Sequence, residues 1–322
     1  MGFNHVHATE LYLAALSGSQ DSSLLFTKFP YAGIVKTFSK NKSITDSAAA
    51  GTALSTGVKT INGTIGMDSA MQCSLQNVAE SAHAFGRPVG ILSTVSIDHA
   101  TPAAFYAHKP LRSSFYEIGS DLPVSGYEFF AGAGFIDPGN RKHKKGVNLF
   151  DQVIENGYTV IRGMQAYRQH PKDVDKIILL QEESCNSDCV PFAIDRKAGD
   201  LSLPEMTKEA IDFLYARNAG FFMMVEGGMI DWAAHSNDAA TTFREVIDFD
   251  HAIRNAFDFY KAHPDSTLIV VTADHETGGL GIGTKRYTLD MPSLAAQANS
   301  KSYLSKAIRQ LNKEASHTGN PV

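Results

Sequence analysis

Four short runs of apolar and β-branched residues stand out along the chain, and within each run the apolar positions are continuous rather than alternating. Runs of this kind are typical of strands that are buried on both faces of a sheet. They predict strands at Pro88–Thr94, Lys176–Gln181, Gly220–Val225 and Thr267–Thr272.

Helical periodicity lies between these runs. It is clearest over Asp238–His263, where one face carries Phe243, Val246, Ile253, Phe257 and Tyr260. A second helix is predicted at Thr207–Arg217. Strands that alternate with helices indicate an α/β fold with a mostly parallel central sheet and helices on both faces. Ligands of such sheets bind at the carboxyl ends of the strands, so polar residues that follow a strand are the first candidates for chemistry.

The spacing of these elements predicts one domain over residues 1–322. Its middle part, about residues 113–204, has glycines and few clean periodicities. We therefore expect an irregular inserted subdomain there.

Composition narrows the class of protein. The 322 residues are 43% hydrophobic and 20% charged, with a formal net charge of −5. Nucleic-acid binders usually carry a clear excess of Lys and Arg, so a nucleic-acid-binding surface is not expected. No apolar run is long enough for a membrane span, and the first residues lack the features of a secretory signal. Of three cysteines, Cys185 and Cys189 could pair across a tight loop or remain two thiols.

Metal-ligand residue types follow two of the predicted strands. Glu226 ends one strand and is followed by Asp231 and His235, while Asp274 and His275 follow another. Asp231 and His235 are four residues apart, which places them on one face of a helical turn. Each pair alone is more often an ordinary surface or turn feature. Together, at one edge of one sheet, they favour a zinc site.

A nucleophile candidate precedes a run of small residues. Ser47 is followed by three alanines and Gly51, which suits a tightly packed helix. A serine at a helix start lies where unpaired N–H groups and the helix dipole favour an anion. The alternative is an N-cap serine, the commoner role at such a position.

Five blocks of the sequence, in order along the chain, resemble those of the alkaline phosphatases. The nucleophile block is Thr45-Asp46-Ser47-Ala-Ala-Ala-Gly-Thr-Ala, continued by Ser55-Thr-Gly-Val-Lys-Thr-Ile-Asn-Gly63. The others are Ser96-Ile-Asp-His99-Ala-Thr101 with Arg112, Val225-Glu226-Gly-Gly-Met-Ile-Asp231-Trp-Ala-Ala-His235, Thr272-Ala-Asp274-His275-Glu-Thr, and His317-Thr-Gly. The resemblance spans nearly the whole chain and implies a bacterial-type alkaline phosphatase fold.

Position by position, the resemblance implies two zinc ions and one magnesium ion. Asp231, His235 and His317 would hold one zinc, and Asp274, His275 and the Ser47 oxygen the second. Thr101 and Glu226 would belong to the magnesium site, with His99 beside it as a direct or water-mediated ligand. Arg112 would grip the phosphate in a bidentate fork, with Asp46 orienting its guanidinium.

The implied activity is hydrolysis of small phosphomonoesters through a phosphoserine at Ser47. The resemblance also implies a homodimer and a periplasmic or secreted location. Trp232, next to Asp231, is expected to be a packing residue that lines the cleft.

One family feature is missing. Relatives begin with a strand that ends in an aspartate shared by the second zinc and the magnesium, whereas this sequence starts at Met1-Gly2-Phe3, and only five residues follow His317. We therefore expect a chain truncated at both ends, which by itself shows little or no phosphatase activity. Two alternatives stay open: another hydrolase of the wider superfamily, such as a phosphodiesterase or sulfatase-like protein, or a non-catalytic fragment that binds one zinc.

Overall fold

A parallel five-stranded sheet forms the centre of the chain. The computed structural model describes residues 1–19, 22–141, 146–171, 173–182, 188–283, 287 and 289–318, with only the backbone for 315–318. The strands are β1 Val89–Ser93, β2 Phe129–Gly132, β3 Tyr158–Arg162, β4 Lys176–Leu180 and β5 Phe222–Glu226. They are hydrogen-bonded in the order β3-β4-β2-β1-β5, and every pair is parallel.

Helices connect the strands and cover the sheet. In chain order they are α1 Phe3–Ser17, α2 Ser47–Thr56, α3 Val78–Ala84, α4 Ala100–Ala103, α5 Phe115–Ser125, α6 Leu149–Glu155, α7 Met164–Gln169, α8 Leu203–Tyr215, α9 Met229–His235, α10 Ala239–Ala262, α11 Met291–Ala295 and α12 Lys301–Thr318. None of the helices in the described part of the chain is long and apolar enough to cross a bilayer.

Both faces of the sheet are buried by these helices. On one face Ile91, Phe130 and Ile178 pack in a core that includes Ile118 and Leu122 of α5. On the other, Leu92, Phe129 and Leu179 pack with Met206, Ala210 and Leu214 of α8. Because consecutive strand residues point to opposite faces, continuous apolar runs are what two covered faces require. The predicted α/β class with helices on both faces is confirmed.

Most predicted elements are confirmed, with small shifts at their ends. The first three predicted strands correspond to β1, β4 and β5, and the longest predicted helix to α10. The helix predicted at Thr207–Arg217 begins earlier, at Leu203, because the Ser202 hydroxyl accepts a hydrogen bond from the backbone N–H of Glu205 and caps it.

The fourth predicted strand is wrong. Residues Thr267–Thr272 run without regular secondary structure, and every second side chain faces solvent, Leu268 being 87% and Val270 73% exposed. Both edges of β1 are already occupied, by β2 and β5, and no described strand pairs with this segment. A β-favouring composition forms a strand only where a partner supplies hydrogen bonds and burial.

Residues 113–204 also differ from the expected irregular insertion. This segment contains β2, β3 and β4, which are three of the five described strands. Sequence reasoning missed β2 and β3 because Phe129–Gly132 is only four residues long and Tyr158–Arg162 is interrupted by polar residues. The segment is therefore part of the central sheet.

A buried carboxyl group joins α10 to the segment before α8. Glu245 is 3% exposed, and its Oε1 accepts a hydrogen bond from the backbone N–H of Ala193 (2.6 Å). Nearby, Arg196 forms a two-bond ion pair with Asp248 (2.8 Å each). Burial raises the pKa of Glu245 to about 8, and the charge of Asp248 adds to the rise. Near neutral pH the folded protein therefore holds a proton on this group that the unfolded chain has lost.

Replacing Glu245 with glutamine is expected to stabilise the fold at alkaline pH. The pKa of Glu245 is higher in the folded than in the unfolded state. At pH values between the ordinary carboxyl pKa and about 8, this group therefore lowers the wild-type free energy of unfolding by about 1.4 kcal/mol for each unit that the pH rises. The neutral amide of glutamine keeps an oxygen that accepts the hydrogen bond from Ala193, and it does not titrate, so this loss of stability with rising pH is removed. Urea unfolding at about pH 6 and about pH 9 measures the difference. Asp258→Asn, an exposed change on the same helix, is the control; equal pH slopes for wild type and Glu245→Gln would contradict the assignment.

Candidate active site

The N-terminus of α2 presents Ser47 at a buried position. Asp46 is the N-cap of this helix, with its Oδ1 accepting a hydrogen bond from the Ala49 N–H (3.0 Å). Ser47 is therefore the first helical residue and not the cap, so its hydroxyl is not used for capping. The small residues behind it let α2 lie close to α4, since a Cβ on Gly51 would stand 3.2 Å from that of Ala104. Its position at the positive end of a packed helix favours an anion beside the Ser47 hydroxyl.

Arg112 is held beside Ser47 by the same N-cap residue. Its Nη1 donates to Asp46 Oδ2 (3.1 Å), and Asp46 Oδ2 also accepts from the Gly63 N–H (3.0 Å). The backbone N–H of Arg112 donates to the Gly63 carbonyl (2.7 Å), which fixes the chain on both sides of the ion pair. The Arg112 side chain is 32% exposed. The Asp46 carboxylate thus links the Arg112 guanidinium to the loop at Gly63, while part of the guanidinium faces solvent.

The hydroxyl of Ser47 meets the ring of His275. His275 Nδ1 lies 2.9 Å from the backbone carbonyl oxygen of Glu276, which can only accept, so this nitrogen carries a hydrogen. In the neutral ring Nε2 then holds a lone pair, and it lies 3.0 Å from Ser47 Oγ and 3.1 Å from Asp274 Oδ2. A lone pair and a carboxylate oxygen repel each other unless a positive charge lies between them. These three donor atoms therefore fit a divalent cation.

A second pair of candidate ligands lies on α9, one helical turn apart. His235 Nε2 is 3.5 Å from Asp231 Oδ2, and the His235 side chain is 69% exposed. The other oxygen, Asp231 Oδ1, accepts a short hydrogen bond from the hydroxyl of Thr277, whose oxygen is 3.3 Å from His275 Nδ1. The two pairs of candidate ligands are thus joined through Thr277.

The third cluster is more deeply buried. Glu226, at the end of β5, accepts a short hydrogen bond from Ser93 at the end of β1, and Thr101 also hydrogen-bonds to it. Burial raises the pKa of Glu226 to about 7, and the charges of Asp274 and Asp231 raise it further, against the lowering effect of the two hydroxyls. Carboxylates that converge in this way suit a cation that binds oxygen.

His99 lies at the start of α4, beside this cluster. Burial lowers the pKa of His99 to about 4, and the positive charge of Arg112 contributes. Its Nδ1 is buried and has no hydrogen-bond partner among the described residues, while its ring stands edge-to-face with Trp232. A neutral imidazole with an unsatisfied nitrogen fits a role as a direct or water-linked metal ligand.

No group of three His, Cys, Asp or Glu side chains is arranged to hold a metal within the described ranges. For each of the two zinc sites implied by the resemblance, one Asp and one His ligand lie within the described ranges. The third ligand of one is the Ser47 hydroxyl, and that of the other is His317, whose side chain lies outside the described residues. Cys185, one of the two cysteines for which a disulfide and two thiols were the alternatives, also lies outside them.

Sequence reasoning missed two hydroxyl residues of the site, Ser93 and Thr277. Ser93 is the last residue of β1, where polar side chains of a parallel sheet collect, and that position was a usable signal. Thr277 follows His275 by two residues, but nothing in the spacing indicates that it reaches Asp231.

Comparison with known proteins gives a consistent result. The sequence model of the alkaline phosphatase family matches residues 1–128 and 114–320. Alkaline phosphatase 4 of Bacillus subtilis (strain 168) is 40% identical over 246 residues, covering 74% of this chain and 51% of that protein. Alkaline phosphatase 3 of the same organism is 35% identical and is also covered over 51%. The chain spans about half the length of the curated relatives it matches.

Solved structures agree with these matches. A cold-active alkaline phosphatase from Shewanella sp. superimposes with a TM-score of 0.84 at 30% identity, over 95% of this chain and 74% of that one. The alkaline phosphatase of the Antarctic bacterium TAB5 gives 0.72 at 32% identity, over 83% and 75%. A histidine-to-glutamate mutant of the TAB5 protein is described with magnesium in its M3 site. With a family model that covers most of its length and these structural likenesses, this chain belongs to the alkaline phosphatase family.

Proposed function

We propose that this chain carries the catalytic centre of a metal-dependent phosphomonoesterase, with Ser47 as nucleophile. The observation that carries the proposal is the meeting of Ser47 Oγ, His275 Nε2 and Asp274 Oδ2 at the N-terminus of α2, next to the Asp46–Arg112 ion pair. Nucleophile, cation ligands and an anion-binding guanidinium are the parts that phosphoryl transfer requires.

Each residue has a role that follows from its position. The phosphoryl group of the substrate would lie against the N-terminus of α2, where Arg112 donates hydrogen bonds to two of its oxygens. The Ser47 oxygen forms a new bond to phosphorus as the bond to the alcohol oxygen breaks. The hydroxyl proton passes to solvent, and the departing oxygen takes up a proton from solvent to leave as the alcohol. Water then cleaves the phosphoserine, which releases phosphate and restores the hydroxyl.

The metals complete this proposal. Asp231, His235 and His317 would hold one zinc, Asp274 and His275 with the Ser47 oxygen the second, and Thr101 and Glu226 with His99 a magnesium. When bound, these ions supply Lewis acidity toward the phosphoryl oxygens and the Ser47 oxygen. We also propose that the protein acts on small phosphomonoesters, forms a homodimer and works in the periplasm or outside the cell, because bacterial alkaline phosphatases are its relatives.

A comparison of a monoester with a diester tests the proposal. Even a chain with little or no turnover is expected, once loaded with zinc and magnesium, to accept a single phosphoryl group from phenyl phosphate. It should accept none from diphenyl phosphate, because Arg112 recognises a doubly charged terminal phosphoryl group. Intact-protein mass spectrometry after brief mixing and acid quenching measures the transfer. Equal reaction with the diester would favour a phosphodiesterase. A chain that binds one zinc and accepts no phosphoryl group would be a non-catalytic fragment.

A further inference from the structure

Thr277 lies between the two pairs of candidate zinc ligands and contacts one member of each. It is 5% exposed and follows His275 by two residues. Its hydroxyl hydrogen is donated to Asp231 Oδ1, and its oxygen is 3.3 Å from the hydrogen-bearing Nδ1 of His275. A hydroxyl has one hydrogen and two lone pairs, so Thr277 can donate to Asp231 while its oxygen shares the Nδ1 hydrogen of His275, whose nearer acceptor is the Glu276 carbonyl at 2.9 Å.

The backbone after Thr277 fixes this hydroxyl against α9. Gly278 has a left-handed backbone conformation (φ 76°), and a Cβ at this position would collide with the carbonyl oxygen of Ala234 in α9. Only glycine fits such a close approach without strain. The loop that carries Asp274 and His275 is thereby held against the helix that carries Asp231 and His235.

The hydrogen bond from Thr277 also distinguishes the two oxygens of Asp231. Oδ1 is occupied by the Thr277 hydroxyl, whereas Oδ2 faces His235 Nε2 at 3.5 Å. Partners of this kind orient a ligating side chain and are typically worth about 10- to 100-fold in metal affinity.

We propose that Thr277 is a positioning residue that orients the Asp231 carboxylate toward zinc by holding its Oδ1 and that couples this carboxylate to the ring of His275. The inference rests on the proposed metal sites, which it deepens. Thr277 touches neither substrate nor metal in this account, and it acts by holding the two ligand pairs in one arrangement.

Two substitutions at Thr277 separate this role from simple packing. Thr277→Val has the same shape without the hydroxyl, whereas Thr277→Ser keeps the hydroxyl and loses a methyl group. Titration with zinc chloride against a chromophoric chelator is expected to show about 10- to 100-fold weaker binding in Thr277→Val and near wild-type binding in Thr277→Ser. Thr159→Val, on β3 at the opposite edge of the sheet, is the matched control. Wild-type zinc affinity in Thr277→Val would overturn the inference.

A metal-free measurement distinguishes this inference from the proposed function. With ¹³C-labelled aspartate, the carboxyl resonance of Asp231 in the metal-free chain is expected to shift in Thr277→Val and to stay near its wild-type position in Thr277→Ser. If the resonance shifts in Thr277→Val but the wild-type chain binds no zinc, the proposed metal sites are refuted and the contact between Thr277 and Asp231 is supported. If the resonance of Asp231 does not move, the positioning role is refuted.

Discussion

Replacing Ser47 with alanine is expected to abolish phosphoryl transfer to the chain, a loss on the order of 10⁶-fold. Alanine removes the oxygen that would attack phosphorus, which in the described part of the chain is the hydroxyl next to His275 Nε2. The fold should not change, because Asp46 supplies the N-cap of α2 and the alanine would be an ordinary first helical residue. Transfer from phenyl phosphate, followed by intact mass, measures the effect.

Ser55→Ala is the matched control for this substitution. Ser55 is a buried serine of the same helix, and its hydroxyl donates to the Thr52 carbonyl within α2. It should transfer phosphate as the wild type does, apart from a modest loss of stability. Phosphoryl transfer that persists in Ser47→Ala would show that another residue is the nucleophile.

Replacing Asp274 with asparagine is expected to remove zinc from the site that contains His275. The carboxylate faces His275 Nε2 at 3.1 Å, and its Oδ1 accepts from the His275 N–H (2.9 Å), which the amide oxygen of asparagine can still do. The change therefore removes charge and leaves the loop geometry intact. Loss of a direct ligand should exceed the roughly 10- to 100-fold that is typical of indirect ones.

Zinc content after dialysis against a weak chelator measures this loss. The Asp274→Asn chain should retain fewer zinc ions than the wild type, while Asp265→Asn, an exposed change in the turn after α10, should retain the same number. Equal zinc content in the wild type and Asp274→Asn would contradict the assignment of Asp274.

Strands of the sheet could be predicted from the sequence where consecutive residues are apolar. A strand that is buried on both faces has no alternating polar positions, so its apolar run is easy to recognise. Lys176–Leu180 and Val89–Ser93 are of this kind. Phe129–Gly132 is too short to be distinguished from a loop, and Thr267–Thr272 has the composition of a strand but pairs with none of the described strands. Pairing depends on residues that are distant in sequence, so local composition could not decide either case.

Two local features of the candidate site could be predicted from the sequence. The spacing of Asp231 and His235 places them on one face of α9, and the small residues after Ser47 fit the close approach of α2 to α4. The role of Thr277 depends on a contact with a residue 46 positions away in the sequence. No periodicity carries that information, because it arises only when the loop after Asp274 packs against α9.

Identification of the phosphorylated residue tests the central claim most directly. The chain, loaded with zinc and magnesium, would be mixed briefly with phenyl phosphate, quenched in acid and digested for peptide sequencing by mass spectrometry. The account predicts one phosphoryl group, carried by Ser47. A phosphoryl group on a different residue, or none on a chain that has bound its metals, would contradict it.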